Sequence, residues 1–457
     1  FNRSMENEPK HISKEGVSTQ EESLIDSSFR KSCECGADNE CKRNAQPLAQ
    51  ISKKAQKRTA HVQGNLSSGD QDFQEKYKIG ELDPKQKQEL VKLGKLCYKC
   101  RLRQPNYCNK QDKVCKGCFM DSIGHRLRQS LRLNLRIWRD DLNLICISGG
   151  SNSMALLDLI YESLFGENTM SQRKMYFRVH VLYVDEGPAV YGWSEQFHKA
   201  QLEMIEDVCL NRYHFTYTIV PIEAIFDIQP ESFDLKQPSQ EQRVLLEEEK
   251  KNDFDNHTTL NEDFEQLVKN KRMEVEGLDD KRAQLKTLIE SLPIESSFRE
   301  DLIFYVKKQV IANFALTFNF KKVLLGTTSQ KVAAQLFSSI CKGRGGSIAH
   351  EISFIDNKNF GGRVSFMNPL RDFLKKEIGL YNYNRGVQII NQIPLAQLNQ
   401  LKQKRPSNAP CFGSTDLLIE QFFNRLQDRY NVNTIPTVVR LANKLEKSVD
   451  LLSQDKQ

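Results

Sequence analysis

Three groups of residues in this chain have the types and spacing to do chemistry. The first is Ser148-Gly149-Gly150-Ser151-Asn152-Ser153, set between an apolar run and a stretch of helix-spaced apolar residues. That order aims serine hydroxyls and loop N–H groups at an anion lying at a helix N-terminus, where the helix dipole assists. Two consecutive glycines let a phosphate approach the backbone closely; an ordinary strand-to-helix turn is the competing reading. The second group is Cys97 and Cys100, then Cys115 and Cys118, with fourteen residues between the pairs. Paired Cys-x2-Cys knuckles set four thiolates tetrahedrally around Zn2+, and a closed tetrathiolate leaves no open coordination position, so its expected role is structural. Cys108 is surplus to that set. The third group is basic. In "GHRLRQSLRLNLRIWRD", helical spacing puts Arg128, Arg132 and Arg136 on one stripe and Leu127, Leu131, Leu135 and Trp138 on an adjoining one. Such a helix docks by its apolar stripe and offers guanidinium groups to nucleic-acid phosphates, or is simply a solvated face. Lys342 and Arg344, with Gly345 and Gly346, read as a flexible basic loop suited to the same phosphates or as a surface turn.

The elements that must position these groups follow from periodicity. Residues 142–147 read as a buried strand, 153–165 as a helix, 179–184 as a strand, 194–210 as a helix and 215–220 as a third strand. This alternation predicts an α/β fold, a parallel sheet with helical crossovers. The glycine loop is its first crossover, where ligands bind at the carboxyl ends of strands. Asp185, at the end of the second strand and followed by Glu186, is a candidate contact for adenosine or magnesium, or a turn residue. Ser297 and Glu300 form a capping-box pattern ahead of Leu302, Val306, Val310 and Phe314, so a long core helix starts there. "KKVLLGTT" reads as a fourth strand, residues 329–340 as a helix, and residues 414–429 and 436–452 as two amphipathic helices that pack on the sheet or on a subunit.

Composition bounds the rest. The 457 residues suffice for two or three domains, and 39% hydrophobic content with 25 Phe suffices for a core. Residues 1–80 are polar and aperiodic and are expected to be a disordered tail, in which Cys33, Cys35 and Cys41, with no fourth cysteine nearby, read as bystander thiols or as a metal site. A small cysteine-rich module with its basic helix is expected at 90–125, and the α/β domain at 126–457, with a charged insertion at about 229–292 read as a solvated insert or a partner surface. No window approaches 18 consecutive apolar residues and the first residues lack the order of a secretion signal, so the expectation is a cytoplasmic protein with no membrane partner. Twelve cysteines in a reducing compartment are metal ligands or reactive thiols rather than disulfides, with Cys341 expected to be a packing thiol. The net charge of +7 permits a polyanionic partner.

Several ordered stretches carry a resemblance. They are the paired cysteines followed by "CF", the loop "SGGSNSM", "YVDEG" at 183–187, "KVLLGTTSQKVAAQLFSSICKGRGGS" at 322–347, "NPLRDFLKKEIGLYN" at 368–382, and the closing helices. The loop resembles the SGGxDS signature of the PP-loop ATP pyrophosphatase superfamily. The whole set, from about residue 97 to 452, resembles more closely the eukaryotic cytoplasmic tRNA 2-thiolation protein 2 family. The resemblance implies a PP-loop fold of the adenine nucleotide α-hydrolase type. It implies a subunit that pairs with a homologous catalytic PP-loop protein, tRNA thiolation protein 1, to place sulfur at C2 of the wobble uridine (5-methoxycarbonylmethyl-2-thiouridine) in tRNA Lys, Glu and Gln. ATP with Mg2+ would activate the uridine oxygen, and sulfur would come from a thiocarboxylated ubiquitin-related modifier. Carried onto this chain, nucleotide contacts would fall at Ser148, Gly149, Gly150, Ser151, Asn152, Ser153, Asp185 and Gly326. Contacts to tRNA would fall at Arg128, Arg132, Arg136, Lys342 and Arg344.

Departures from the active superfamily shape the expectation. Asn152 stands where SGGxDS has its acid, removing a charge that organises Mg2+. The stretch 326–331 has no carboxylate where thiolating relatives carry a GHxxDD-like sequence, and the region just before the long helix, where those relatives place a Cys-x-x-Cys pair, has none. The family also commonly ends in a further cysteine-rich module, whereas Cys411 alone follows Cys341. The expected role is therefore a tRNA-binding, non-catalytic subunit, with zinc as structural cofactor and ATP not expected to be turned over. The rival readings are an ATP-dependent tRNA sulfurtransferase in its own right and a small-molecule PP-loop ligase, which would need the missing carboxylate and leaves the cysteines without a use.

Overall fold

The computed structural model describes residues 73–74, 76–109, 112–139, 141–166, 174–228, 272–293, 297–357, 362–390, 414–430, 434–441 and 444. The expected tail up to residue 72 with Cys33, Cys35 and Cys41, the insertion from 229 to 271, Cys411 and the end of the last helix lie outside them. Among the described residues no helix is long and apolar enough to cross a membrane. The chain divides into two compact units, Phe1–Cys115 and Lys116–Gln457.

In the first unit, ordered structure starts earlier than composition predicts. The Phe73 and Tyr77 rings meet at a tilt with centroids 4.9 Å apart, Gln74 donates to the Leu102 carbonyl and Ile79 is buried, so residues 73, 74 and 76–80 are folded rather than part of a tail. Helix α1 (Pro84–Lys92) starts with proline at its first position, where no N–H is needed, and the Asp83 N–H donates to the Gln86 side chain. A hairpin of β1 (Tyr107–Asn109) and β2 (Asp112–Val114) follows, in the register Tyr107↔Val114.

The second unit is built on a sheet of six strands: β3 (Leu142–Ile147), β4 (Arg178–Asp185), β5 (Thr216–Pro221), β6 (Lys322–Leu325), β7 (Ile355–Asp356) and β8 (Ser365–Met367), in the order β5-β4-β3-β6-β8-β7. All neighbours are parallel except β7 and β8, so the sheet is mixed. The edge pair escapes sequence reading because strands of two and three residues carry no period. The inner strands are covered on both faces, which is why they read as continuous apolar runs. On one face, Ile303, Val310, Ile311 and Phe314 of α6 (Ser297–Thr317) meet Leu144, Leu182, Val184 and Val323, together with Leu285 and Ile289 of α5 (Leu278–Ser291). Helix α3 (Ser151–Phe165) packs against β3 and is buried continuously from Ser153 to Ile160, as a helix enclosed in a core must be.

The remaining helices are α2 (Lys116–Gln129), α4 (Glu195–Asp207), α7 (Ser329–Cys341), α8 (Gly345–Glu351), α9 (Lys375–Arg385) and α10 (Thr415–Tyr430). The described closing helices pack on other helices rather than on the sheet. Ile419 and Phe423 of α10, with Ile435, Val438 and Val439, pack on Val332 and Leu336 of α7, on Ile348 of α8 and on Ile352 just after it. The capping-box residues of α6 serve this attachment: Ser297 Oγ accepts from the Thr415 N–H at 2.9 Å and Glu300 accepts from Ser414 Oγ at 2.9 Å. Tertiary partners have displaced the local bonds expected there.

Candidate functional site

The cysteine spacing is realised in space. The Sγ atoms of Cys97, Cys100, Cys115 and Cys118 all lie within 4.8 Å of one another, and all four residues are free thiols rather than disulfides. The first knuckle is shaped by Arg101, in a left-handed conformation (φ 55°), and closed by the Cys97 N–H on the Arg103 carbonyl. The Cys115 N–H points at Cys97 Sγ (3.3 Å), and the Cys100 and Cys115 sulfurs are 3.8 Å apart. Sulfurs on a tetrahedron with metal bonds of about 2.3 Å stand about 3.8 Å apart, so the set fits a metal ion, and a donated N–H stabilises a thiolate. Cys108 belongs to β1, and its side chain is outside the described residues.

The glycine loop is also formed as read. Gly149 takes a left-handed φ of 74°, Gly150 caps α3, and Ser153 Oγ donates to the Gly150 carbonyl while accepting from the Ser148 N–H. Gly326 fits beneath it: a Cβ there would stand 2.8 Å from Ser153 Cα, so only glycine permits this approach. Asn152 Nδ2 reaches Thr328 Oγ1 at 3.4 Å. The structure thus brings Ser148–Ser153 and Gly326 together across 170-odd residues of sequence.

The groups that would handle a phosphate or magnesium there are largely engaged by the protein itself. The space left by the missing Cβ of Gly149 is filled by Ile390, whose N–H donates to the Gly149 carbonyl at 2.9 Å. At the start of α7, the Ser329 N–H and hydroxyl both point at the Phe373 carbonyl, and Gln330 accepts from the Lys375 N–H. Asp185 accepts from the Gly187 N–H at 3.1 Å and is held by His198 Nε2 at 2.6 Å; Glu186 pairs with Lys307. Lys331, exposed on α7, adds an ammonium rather than a carboxylate. Two amides, an ammonium and two committed carboxylates are a poor donor set for Mg2+, which requires free oxygen ligands. Magnesium therefore does not fit this end of the sheet. Cys146, two residues before the loop, is inert: burial pushes its thiol far up, and the Lys307 charge does not offset it.

The basic residues are sorted by the fold in a way that corrects the stripe. Helix α2 stops at Gln129, and residues Ser130–Asn134 form a wider π-type turn. Leu127, Leu131 and Leu135 are buried as expected, but Arg136 lies beyond the helix with φ 49°, and Ile137 rather than Trp138 enters the core. Arg128 lies back along its own helix over Gly124, and Arg132 donates to the Lys174 carbonyl at 3.2 Å. A one-period extrapolation failed because the chain turns where the helix widens. The "flexible" loop is likewise not one: Gly345 opens helix α8, Lys342 bonds Asp301 (2.9 Å) and Asp416 (2.8 Å), and Arg344 pairs with Asp301 and stacks over Tyr305. Burial depresses the Lys342 ammonium, but its bonds to Asp416 and Asp301 prevail and hold it above its ordinary value. Cys341 is exposed, not packed.

Sequence reading missed a buried acid. Asp158 on α3 accepts from Tyr213 Oη (3.1 Å), Tyr381 Oη (2.5 Å) and Arg385 Nε (3.1 Å), joining the helix that starts at the loop to α9. An aspartate on the apolar face of a helix was the available signal, since a buried charge requires partners.

No family model matches the chain. A curated relative named cytoplasmic tRNA 2-thiolation protein 2-B, from Xenopus laevis, is 26% identical over 386 residues, covering 78% of this chain and 69% of that protein. Cytoplasmic tRNA 2-thiolation protein 2 of Danio rerio is 26% identical over 366 residues (77% and 68%), and that of Homo sapiens 25% over 375 residues (77% and 67%). Among solved structures, the U34-tRNA thiolase NcsA of Methanococcus maripaludis with its [4Fe-4S] cluster aligns with a TM-score of 0.46 at 13% identity, over 77% of this chain and 87% of that one. Along more than three-quarters of its length, the chain is thus similar to proteins named cytoplasmic tRNA 2-thiolation protein 2, the resemblance its motifs carry.

Proposed function

We propose that this chain acts in tRNA 2-thiolation, as a tRNA-binding subunit that supports a catalytic PP-loop partner in modifying the wobble uridine. The observation that carries this reading is the retained loop with its chemistry withdrawn: Ser148–Ser153 and Gly326 keep the shape, while Asn152, Gln330 and Lys331 stand where the superfamily handles magnesium and Asp185 is held by His198. A fold that keeps this architecture without free carboxylates at the loop or a Cys-x-x-Cys pair just ahead of α6 is suited to holding and orienting, not to activating the uridine oxygen.

On this reading the partner is the homologous tRNA thiolation protein 1, ATP is consumed there, and sulfur arrives from a thiocarboxylated ubiquitin-related modifier in the cytoplasm. The four cysteines hold Zn2+, whose part is structural. Zinc supplies no open coordination position when bound by four thiolates. The test is reconstitution of thiolation with tRNA, ATP, sulfur donor and the partner, scoring 2-thiouridine by mass spectrometry. Both proteins together are expected to yield product and this chain alone none. Product from this chain alone would transfer the reading to a sulfurtransferase in its own right.

A further inference from the structure

The three strands β4, β3 and β6 start side by side, with Leu142 opposite Arg178 and Asn143 opposite Lys322. The segments leading into them therefore meet at the N-terminal rim of the sheet. That rim lies at the other end of β3 from the glycine loop, about 20 Å away at about 3.3 Å per residue.

Residues 132–139 are fixed there with alternate side chains turned out. The Leu135 N–H donates to the Ser130 carbonyl, the Ile137 N–H to the Leu131 carbonyl, and Lys322 Nζ to the Arg136 carbonyl, while Leu135 and Ile137 are buried. Between and after these anchors, Arg136, Trp138 and Arg139 point to solvent, and Trp138 is 68% exposed. The left-handed φ of Arg136 is uncommon for a residue with a Cβ and is maintained by those three bonds. The strand-β4 side adds Tyr176, 55% exposed, with the Arg139 guanidinium 5.6 Å from its ring centroid, and the Arg132 bond to the Lys174 carbonyl ties the two segments together. Asp141, an acid of this rim, is already engaged by the Trp138 N–H and by Lys322.

We propose that this rim is a surface for unpaired RNA, in which Trp138 and Tyr176 stack on bases and Arg132, Arg136 and Arg139 hold the backbone phosphates. The inference rests on the tRNA-binding reading and says where that RNA lies: on the rim away from the loop. Exposed aromatics interleaved with arginines are what single-stranded nucleic acid requires, since bases stack on rings and on guanidinium planes while phosphates release counterions. A protein partner would instead be met by a contiguous aliphatic patch with few charges at its centre. Unpaired residues are specified because a duplex offers no free base faces to a ring.

The test measures binding of the full chain to a tRNA transcript and to oligouridylate across a salt series. Trp138→Ala with Tyr176→Ala is expected to weaken both by roughly thirty-fold or more at unchanged salt slope. Arg132→Glu with Arg136→Glu is expected to flatten the slope of log affinity against log salt by about 0.7 per lost contact. If the unaltered chain binds neither RNA, the tRNA-binding reading itself fails. If it binds both and folded rim variants bind as it does, the rim assignment fails and the reading stands. Should the variants not fold, photocrosslinking of the unaltered chain to RNA carrying 5-bromouridine decides: crosslinks within 132–139 or 174–178 support the rim, and crosslinks confined elsewhere overturn it.

Discussion

The cysteine cluster and the glycine loop are two candidate sites of opposite construction. In the first, four ligands within 22 residues of sequence converge with their sulfurs facing one another, and their geometry fits an ion. In the second, residues from 148 to 390 converge just as closely, yet the polar groups meet one another: Asp185 meets His198, Glu186 meets Lys307, Ser329 meets Phe373, and Ile390 fills the space over Gly149. A ligand set complete in one short stretch needs little from the remainder of the fold. A site assembled from distant segments works only if those segments leave its groups unspent, and here both carboxylates at the strand end are committed to His198 and Lys307.

Removing ligands from the self-contained site should have the largest effect. Cys97→Ser with Cys100→Ser is expected to abolish metal content and unfold the first unit, since structural zinc contributes on the order of 10 kcal/mol to such modules; metal analysis and circular dichroism check both. Unchanged metal content would remove the contrast. Next, Asp158→Ala leaves Arg385 and two tyrosine hydroxyls without their shared acceptor and should cost about 3–5 kcal/mol in urea denaturation. A loss below 1 kcal/mol would mean the scaffold beneath the loop is not held by this network.

A pH effect follows from His180, buried on β4 between Thr216 Oγ1 (2.9 Å) and Thr218 Oγ1 (3.0 Å) and against Phe314. Desolvation lowers its pKa to about 4. Its folded value lies below its unfolded value near 6.5, so the unfolded state binds the proton first as pH falls. Stability is therefore full above about 6.5 and is lost as pH drops toward 4, by up to about 3 kcal/mol. Denaturation at pH 7, 5.5 and 4.5 should show this slope, and His180→Gln should flatten it.

The smallest effects sharpen the comparison by being null results. Asn152→Asp places in the loop the acid of the SGGxDS signature it resembles, yet with Gln330 and Lys331 unchanged no magnesium-dependent pyrophosphate release is expected; appreciable release would show that the loop lacks only one charge. Lys342→Ala with Arg344→Ala should leave RNA affinity and its salt slope unaltered, because both cations are spent on Asp301 and Asp416. A flattened slope would return that segment to the RNA surface.

Much of the fold was legible from periodicity. The strands 142–147, 179–184 and 215–220 came out within two residues, because inner parallel strands are apolar throughout and their crossovers are helical. The edge pair β7 and β8 was not legible, being too short to show a period. Among the candidate residues, the cysteines and the loop are placed as their spacing predicts, whereas Arg136 and Trp138 are not. Helical spacing carried them past Gln129, and the backbone instead widens and turns.

By itself, the sequence determined which side chains could coordinate a metal and which loop could cradle an anion. These depend on spacings of two to fourteen residues and on a strand-to-helix order that local forces impose. Only the tertiary structure decided which charges remain available. Lys342 and Asp416 are 74 residues apart, and Arg126 and Glu377 251 apart, so pairs such as these exist only once the helices pack. An ion pair withdraws a cation that composition counts the same as a free one.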